Sequence, residues 1–281
     1  MTSVGSALGM EYGVQDVTAL WVTLAFACAG LLFGSFLNVC IYRLPRRESL
    51  MWPASHCPSC QRPLDWFENV PVVSWVVLSG RCRTCRTPIS VMYPAVEVAT
   101  AALFAGSYLA YGWHPMLVVR LAFACAMVVL FATDLRHHIL PDSITLPGIV
   151  VGFVCSCFVW PGWWSSLVGM LAGGLFPAAV AEGYARLRGR EGMGVGDFKM
   201  LAMVGAFLGW PLVWLTLISA CILGIAIGGG VLLVSRRGLS THIPFGTFIA
   251  AAALMSAFWQ EPILRGYEEV IRAYLRWAGV A

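Results

Sequence analysis

Charge is scarce in this chain. Of its 281 residues, 11% are charged and 59% hydrophobic, at a mean hydropathy of +0.78. A soluble domain carries about 25% charged residues, so a soluble globular fold is excluded. The first 16 residues hold Glu11 and Asp16 but no Lys or Arg. A cleavable export signal, which needs a basic opening region, is therefore not expected. There is no H-E-x-x-H, so no metalloprotease helix is expected, and no glycine-rich dinucleotide loop. Long repeats and low-complexity tracts are also missing.

What is there is apolar sequence in long runs. Eight runs approach the roughly 20 residues needed to cross a bilayer: about 17–41, 93–112, 116–134, 143–160, 163–185, 197–210, 212–235 and 243–258. The expectation is an all-α polytopic membrane protein with about eight transmembrane helices. Thirteen of the 18 basic residues fall in the loops after odd-numbered runs, and Lys199 lies at the start of the sixth run beside one of them. Those loops are predicted to be cytoplasmic and both termini outside. The net charge of +4 follows from that arrangement and gives no argument for nucleic acid. Arg120, inside the third run, is expected to snorkel outward.

Two carboxylates sit at the ends of such runs. Asp197 follows Gly192, Gly194 and Gly196 and opens the apolar stretch Phe198-Lys-Met-Leu-Ala202. Glycines there let the backbone lie flat against another segment or an extended substrate, and irregular backbone at membrane depth is tolerated in a protein- or water-lined cavity. Asp134 closes the run from Met116 to Thr133. Together they are a candidate aspartyl pair. The alternative is that Asp197 only caps its helix.

Residues 43–92 form the one sizeable polar insert. It holds Cys57-Pro-Ser-Cys60 and Cys82-Arg-Thr-Cys85, two C-x-x-C knuckles with 21 residues between them. Such knuckles can place four thiolates around zinc, giving a small zinc-ribbon-like cytoplasmic module. Four cysteine ligands leave no open coordination position, so the metal is read as structural. The remaining cysteines (28, 40, 125, 155, 157 and 221) lie in apolar runs as small hydrophobes. Seven arginines against Glu48, Asp65 and Glu68 favour an anionic lipid surface.

Other polar residues in apolar surroundings read as structural. Asn38 is expected to hydrogen-bond between helices, and Glu97 to support or position. Asp142, after Pro141, reads as a helix cap, and His137 and His138 as loop residues. Glu182 is a weaker carboxylate candidate because no glycine loop accompanies it. The tail from Pro262 has helical apolar spacing and is expected to lie at the outer interface.

These features resemble the type IV prepilin peptidases, the leader peptidase/N-methyltransferases of pilus and type II secretion systems. The likeness rests on Gly34-Ser-Phe-Leu-Asn-Val39, Tyr42-Arg-Leu-Pro45, the cysteine knuckles, Asn69-Val-Pro-Val-Val-Ser-Trp75, Tyr93-Pro-Ala-Val-Glu97, Asp134 through Asp142, Gly194-Val-Gly-Asp-Phe-Lys199 and Pro244-Phe-Gly246. The resemblance implies a G-x-G-D intramembrane aspartyl protease with Asp134 and Asp197 catalytic. It implies zinc on Cys57, Cys60, Cys82 and Cys85, and a link between Gly80 and methylation. Gly194, Gly196 and Lys199 are the expected substrate-positioning residues. It further implies prepilin and pseudopilin substrates cut after glycine, and S-adenosylmethionine as methyl donor. Met92 departs from the basic residue expected before Tyr93-Pro94. The domain expectation is a first membrane segment (1–42), the zinc-binding insert (43–92), a seven-helix peptidase core (93–258) and an interfacial tail (259–281). A transporter with a zinc-stabilised cytoplasmic module, or an assembly scaffold, would share the hydropathy but would not need the aspartates.

Overall fold

A computed structural model describes residues 4–189, 193–230 and 244–260, with isolated positions between 262 and 276. Among the described residues the chain is helical, with α1 (Val4–Arg43), α2 (Val73–Val77), α3 (Met92–Tyr111), α4 (Pro115–His137), α5 (Asp142–Ser156), α6 (Trp163–Arg188), α7 (Val195–Leu223) and α8 (Phe245–Phe258). The only extended pairings among them are two isolated bridges. The chain divides into two compact units, one up to Val129 and one from Leu130.

In the first unit, α1 and α3 pack through small residues. A Cβ on Gly34 would stand 2.7 Å from the Glu97 Cα, so only a residue without a side chain permits that approach. Phe26 stacks on Tyr108 at 4.9 Å further along the same pair. α1 ends where Leu44-Pro45-Arg46 tightens into a 3₁₀ turn. There the buried Arg43 donates to the carbonyls of Ser49 and Pro53 at 2.8 and 2.6 Å, tying the insert to the helix end. Arg120 does not snorkel. It is 3% exposed, with its guanidinium 5.8 Å from the centre of the Tyr111 ring. A cation held on a ring face within the protein replaces the expected reach to water.

In the second unit, α6 and α7 touch backbone to backbone where Gly169 meets Gly205. Ser166 adds a hydrogen bond to the Ala206 carbonyl at 2.8 Å. Thr216 reaches Ser256 at 3.1 Å, joining α7 to α8. The runs at 197–210 and 212–235 are two helices within α7, as the hydropathy divides them: they meet at Gly209, whose φ 75 and ψ 175 are not helical, and Gly173 of α6 packs against both Leu201 and Val213. Pro211, which lacks a backbone donor, falls in the first turn of the second helix, where none is needed. A π-helical turn, Gly224–Gly228, follows.

Four helical stretches among the described residues are long and apolar enough to cross a membrane: Val17–Arg46, Pro115–His137, Trp163–Arg188 and Val195–Gly228, the last divided at Gly209. α5 and α8 are apolar but shorter. At 1.5 Å per residue they extend only about 20–23 Å, against a hydrocarbon core of about 30 Å. Arg236, Arg237 and most of the tail expected to be interfacial lie outside the described residues.

Candidate functional site

Asp134 stands one turn before the end of α4 and is 5% exposed. Its Oδ2 accepts the backbone N–H of Thr247 at 2.6 Å and the Thr247 hydroxyl at 3.1 Å. Thr247 is the third residue of α8, whose cap is Pro244. A carboxylate from α4 therefore satisfies a free donor in the first turn of α8, where the helix dipole favours negative charge. Gly246 makes the approach possible: a Cβ there would lie 2.9 Å from the same oxygen.

Asp197 is the third residue of α7 and half-buried. The cap position is Gly194, in extended conformation, so Asp197 is not the N-cap of its helix. Its N–H donates to the Gly194 carbonyl at 3.1 Å. Its Oδ2 lies 3.5 Å from where a Gly194 Cβ would be, an ordinary contact distance.

Leu140 links the two acids. Its side chain comes within 3.1 Å of a Cβ placed on Gly196 and within 3.0 Å of one placed on Gly246. The immediate neighbour of Asp197 and the glycine under Asp134 thus share one leucine.

The other candidates are engaged elsewhere. Lys199 donates to both oxygens of Asp142 at 2.7 and 2.9 Å, joining the first turns of α7 and α5. Asp142 is the first residue of α5, with Pro141 at the cap. Glu182 lies on the surface of α6, paired with Arg186 at 2.7 Å. His137 ends α4 and the exposed His138 follows it at φ 52. Thr247 and Leu140 were not legible as site residues. A threonine after Pro-Phe-Gly announces a helix start with free N–H groups, but nothing local announces an acceptor 113 residues away.

The insert presents a second site. The Sγ atoms of Cys57, Cys60, Cys82 and Cys85 all lie within 4.8 Å of one another. Cys57 to Cys85 is 3.7 Å and Cys60 to Cys82 is 4.0 Å. Four sulfurs around zinc at about 2.3 Å would be about 3.8 Å apart, so the donors fit that metal. The knuckles repeat each other. Cys57 N–H donates to Arg62 and Gln61 N–H to Cys57; Cys82 N–H donates to Thr87 and Arg86 N–H to Cys82, all at 2.9–3.1 Å. Gln61 and Arg86 share φ 58. The thiolate is the metal-binding form. The Thr87 hydroxyl and N–H pull Cys85 down to about 6, and the N–H groups of Cys85 and Thr84 lower Cys82. Glu68 is buried beside them. It accepts two bonds from Arg62 at 2.7 and 2.8 Å and the Asp65 N–H at 2.9 Å.

Gly80 sits beside the third cysteine at φ +64, and a Cβ there would meet the Trp75 ring at 2.8 Å. The Trp75 Nε1 donates to the Ile89 carbonyl at 3.2 Å. Asn38 donates to the Tyr93 carbonyl at 3.0 Å, across the α1–α3 interface. Glu97 is buried and accepts the Val72 N–H at 2.7 Å, so it anchors the insert to α3.

Residues 28–111 match the bacterial peptidase A24 N-terminal domain, and residues 121–229 the type IV leader peptidase family. A prepilin leader peptidase/N-methyltransferase of Aeromonas hydrophila is 36% identical over 277 residues, covering 88% of this chain and 94% of the relative. One from Pseudomonas putida is 36% identical over 268 residues, covering 87% and 93%. A third, from Xanthomonas campestris, is 34% identical over 281 residues, covering 91% and 95%. No solved structure matches. The chain belongs to the type IV leader peptidase family.

Proposed function

We propose that this protein is an intramembrane aspartyl endopeptidase that removes the basic leader from prepilins and pseudopilins after glycine. It then N-methylates the new terminal residue, with S-adenosylmethionine as donor. The observation that carries the peptidase reading is the shared packing of Gly196 and Gly246 on Leu140, with Asp134 anchored by Thr247. Asp134 and Asp197 are the catalytic pair. One takes a proton from the attacking water and the other gives one to the scissile carbonyl. The extended backbone at Gly194 pairs with the substrate strand, while Gly196, the second residue of α7, packs on Leu140. The Lys199–Asp142 pair fixes the two helix starts on either side of Leu140.

The chain is an inner-membrane protein with both termini periplasmic, about eight spans, and the 43–92 insert in the cytoplasm. A pilin helix lying in that bilayer with its positive leader inside brings its cleavage point to the cytoplasmic boundary. The four insert cysteines hold one structural zinc, which braces a module too small for its own core. Partners are the pilin substrates and the bilayer, with no nucleic acid.

Incubation of the purified protein with a prepilin, followed by mass analysis of the pilin N-terminus, reads both activities. Asp134→Asn and Asp197→Asn are expected to leave the leader attached while the protein still inserts in the membrane. Full processing by either variant would remove the aspartyl pair from the mechanism.

A further inference from the structure

A cavity of about 370 Å³ lies between the end of α1, the insert and the start of α3. That volume falls within the roughly 300–1,000 Å³ of small-molecule sites. Its walls include the rings of Tyr42, Trp75 and Tyr93 and the carboxylate of Glu97. Glu97 is 7% exposed. It is hydrogen-bonded by Val72 and by the side chains of Ser35 and Asn38. The ion pairs of Arg62, Arg83, Arg186 and Lys199 are made with Asp65, Glu68, Glu182 and Asp142, and not with Glu97. A buried carboxylate without a cationic partner is costly. Here it lines a pocket that also presents three aromatic faces, which attract cations, while the two arginines in its lining are engaged elsewhere, Arg43 by the Ser49 and Pro53 carbonyls and Arg83 by Asp65.

We infer that this cavity binds an adenosyl sulfonium methyl donor, with Glu97 facing the sulfonium and the aromatic rings packing against the adenosyl group. The inference rests on the methyltransferase half of the proposed function and assigns its site. The donor's carbon–sulfur bond breaks as the carbon–nitrogen bond to the neutral N-terminal amine forms. The amine loses its proton to water, and the uncharged thioether S-adenosylhomocysteine leaves. Glu97 therefore discriminates donor from product by charge, which promotes product release.

Calorimetric titration of the purified full-length protein in detergent with S-adenosylmethionine and S-adenosylhomocysteine tests this. Glu97→Gln keeps an acceptor for the Val72 N–H but removes the charge. It is expected to weaken donor binding about tenfold, the loss of one contact to a charged group. The same variant should leave product affinity and leader cleavage unchanged. Val39→Phe, which projects a ring into the cavity from α1, is expected to abolish binding of both ligands while cleavage persists. Unchanged donor affinity in both variants would overturn the assignment even though the wild type methylates. A wild type that neither binds the donor nor methylates would instead refute the methyltransferase reading. A wild type whose donor binding is blocked by a leader peptide and unaffected by Glu97→Gln would give the cavity to the pilin segment and overturn the proposal.

Discussion

Replacing Thr247 by valine removes one of two donors to the Asp134 Oδ2 and little else. Valine matches threonine in shape, and Thr247 is 6% exposed, so its methyl takes the place of the hydroxyl without new solvent contact. The hydroxyl bond is 3.1 Å long and the backbone bond, which survives the change, is 2.6 Å. Hydrogen bonds to charged groups contribute about 1.5–3 kcal/mol. With the shorter bond retained, the low end applies. At about 1.4 kcal/mol per decade, kcat/KM for leader removal should fall roughly tenfold. Thr247→Ser keeps the hydroxyl and should stay within about twofold of wild type on the same scale. The assay is timed leader release by purified protein, run beside a thermal unfolding scan to show that the valine variant is folded. Equal rates for the valine, serine and wild-type proteins would refute the role given to this contact.

Three further outcomes follow from the insert. Cys60→Ser should lower bound zinc below the single equivalent expected of wild type, measured by elemental mass spectrometry, and should open the 43–92 segment to protease. Glu68 is held below the ordinary carboxylate range chiefly by its bonds from Arg62. A lowered native value means stability that is full above the ordinary carboxylate pKa and lost as pH falls through the native one. The acid unfolding of wild type, followed by tryptophan fluorescence, should therefore flatten over that window in Glu68→Gln. Gly80→Ala puts a Cβ at φ +64 and 2.8 Å from the Trp75 ring. It should cost about 1–3 kcal/mol of insert stability, seen as a lower unfolding midpoint.

Helix existence was readable because apolar runs leave one economical backbone solution in lipid. The division between the runs at 197–210 and 212–235 was readable too, because Gly209 ends one helix and Pro211 opens the next. The cysteine knuckles were legible because each ligand pair is local in sequence. The support of Asp134 was not, because Thr247 reaches it from a distant helix start. The snorkelling expected of Arg120 failed for the same reason: Tyr111 is nine positions away, and only folding decides that a ring lies within its reach.

α7 carries Asp197 on unusual footing. Met200, Leu201 and the run from Met203 to Leu208 are buried, and helical residues spread over more than two turns point in every direction around the axis. This stretch presents no face to lipid, so it is a central post with neighbours on all sides. A side chain mounted at the foot of such a post inherits its stiffness. Any substrate that needs the carboxylate to shift must move the surrounding helices along with it, and changes of volume far up the post will be felt at its base.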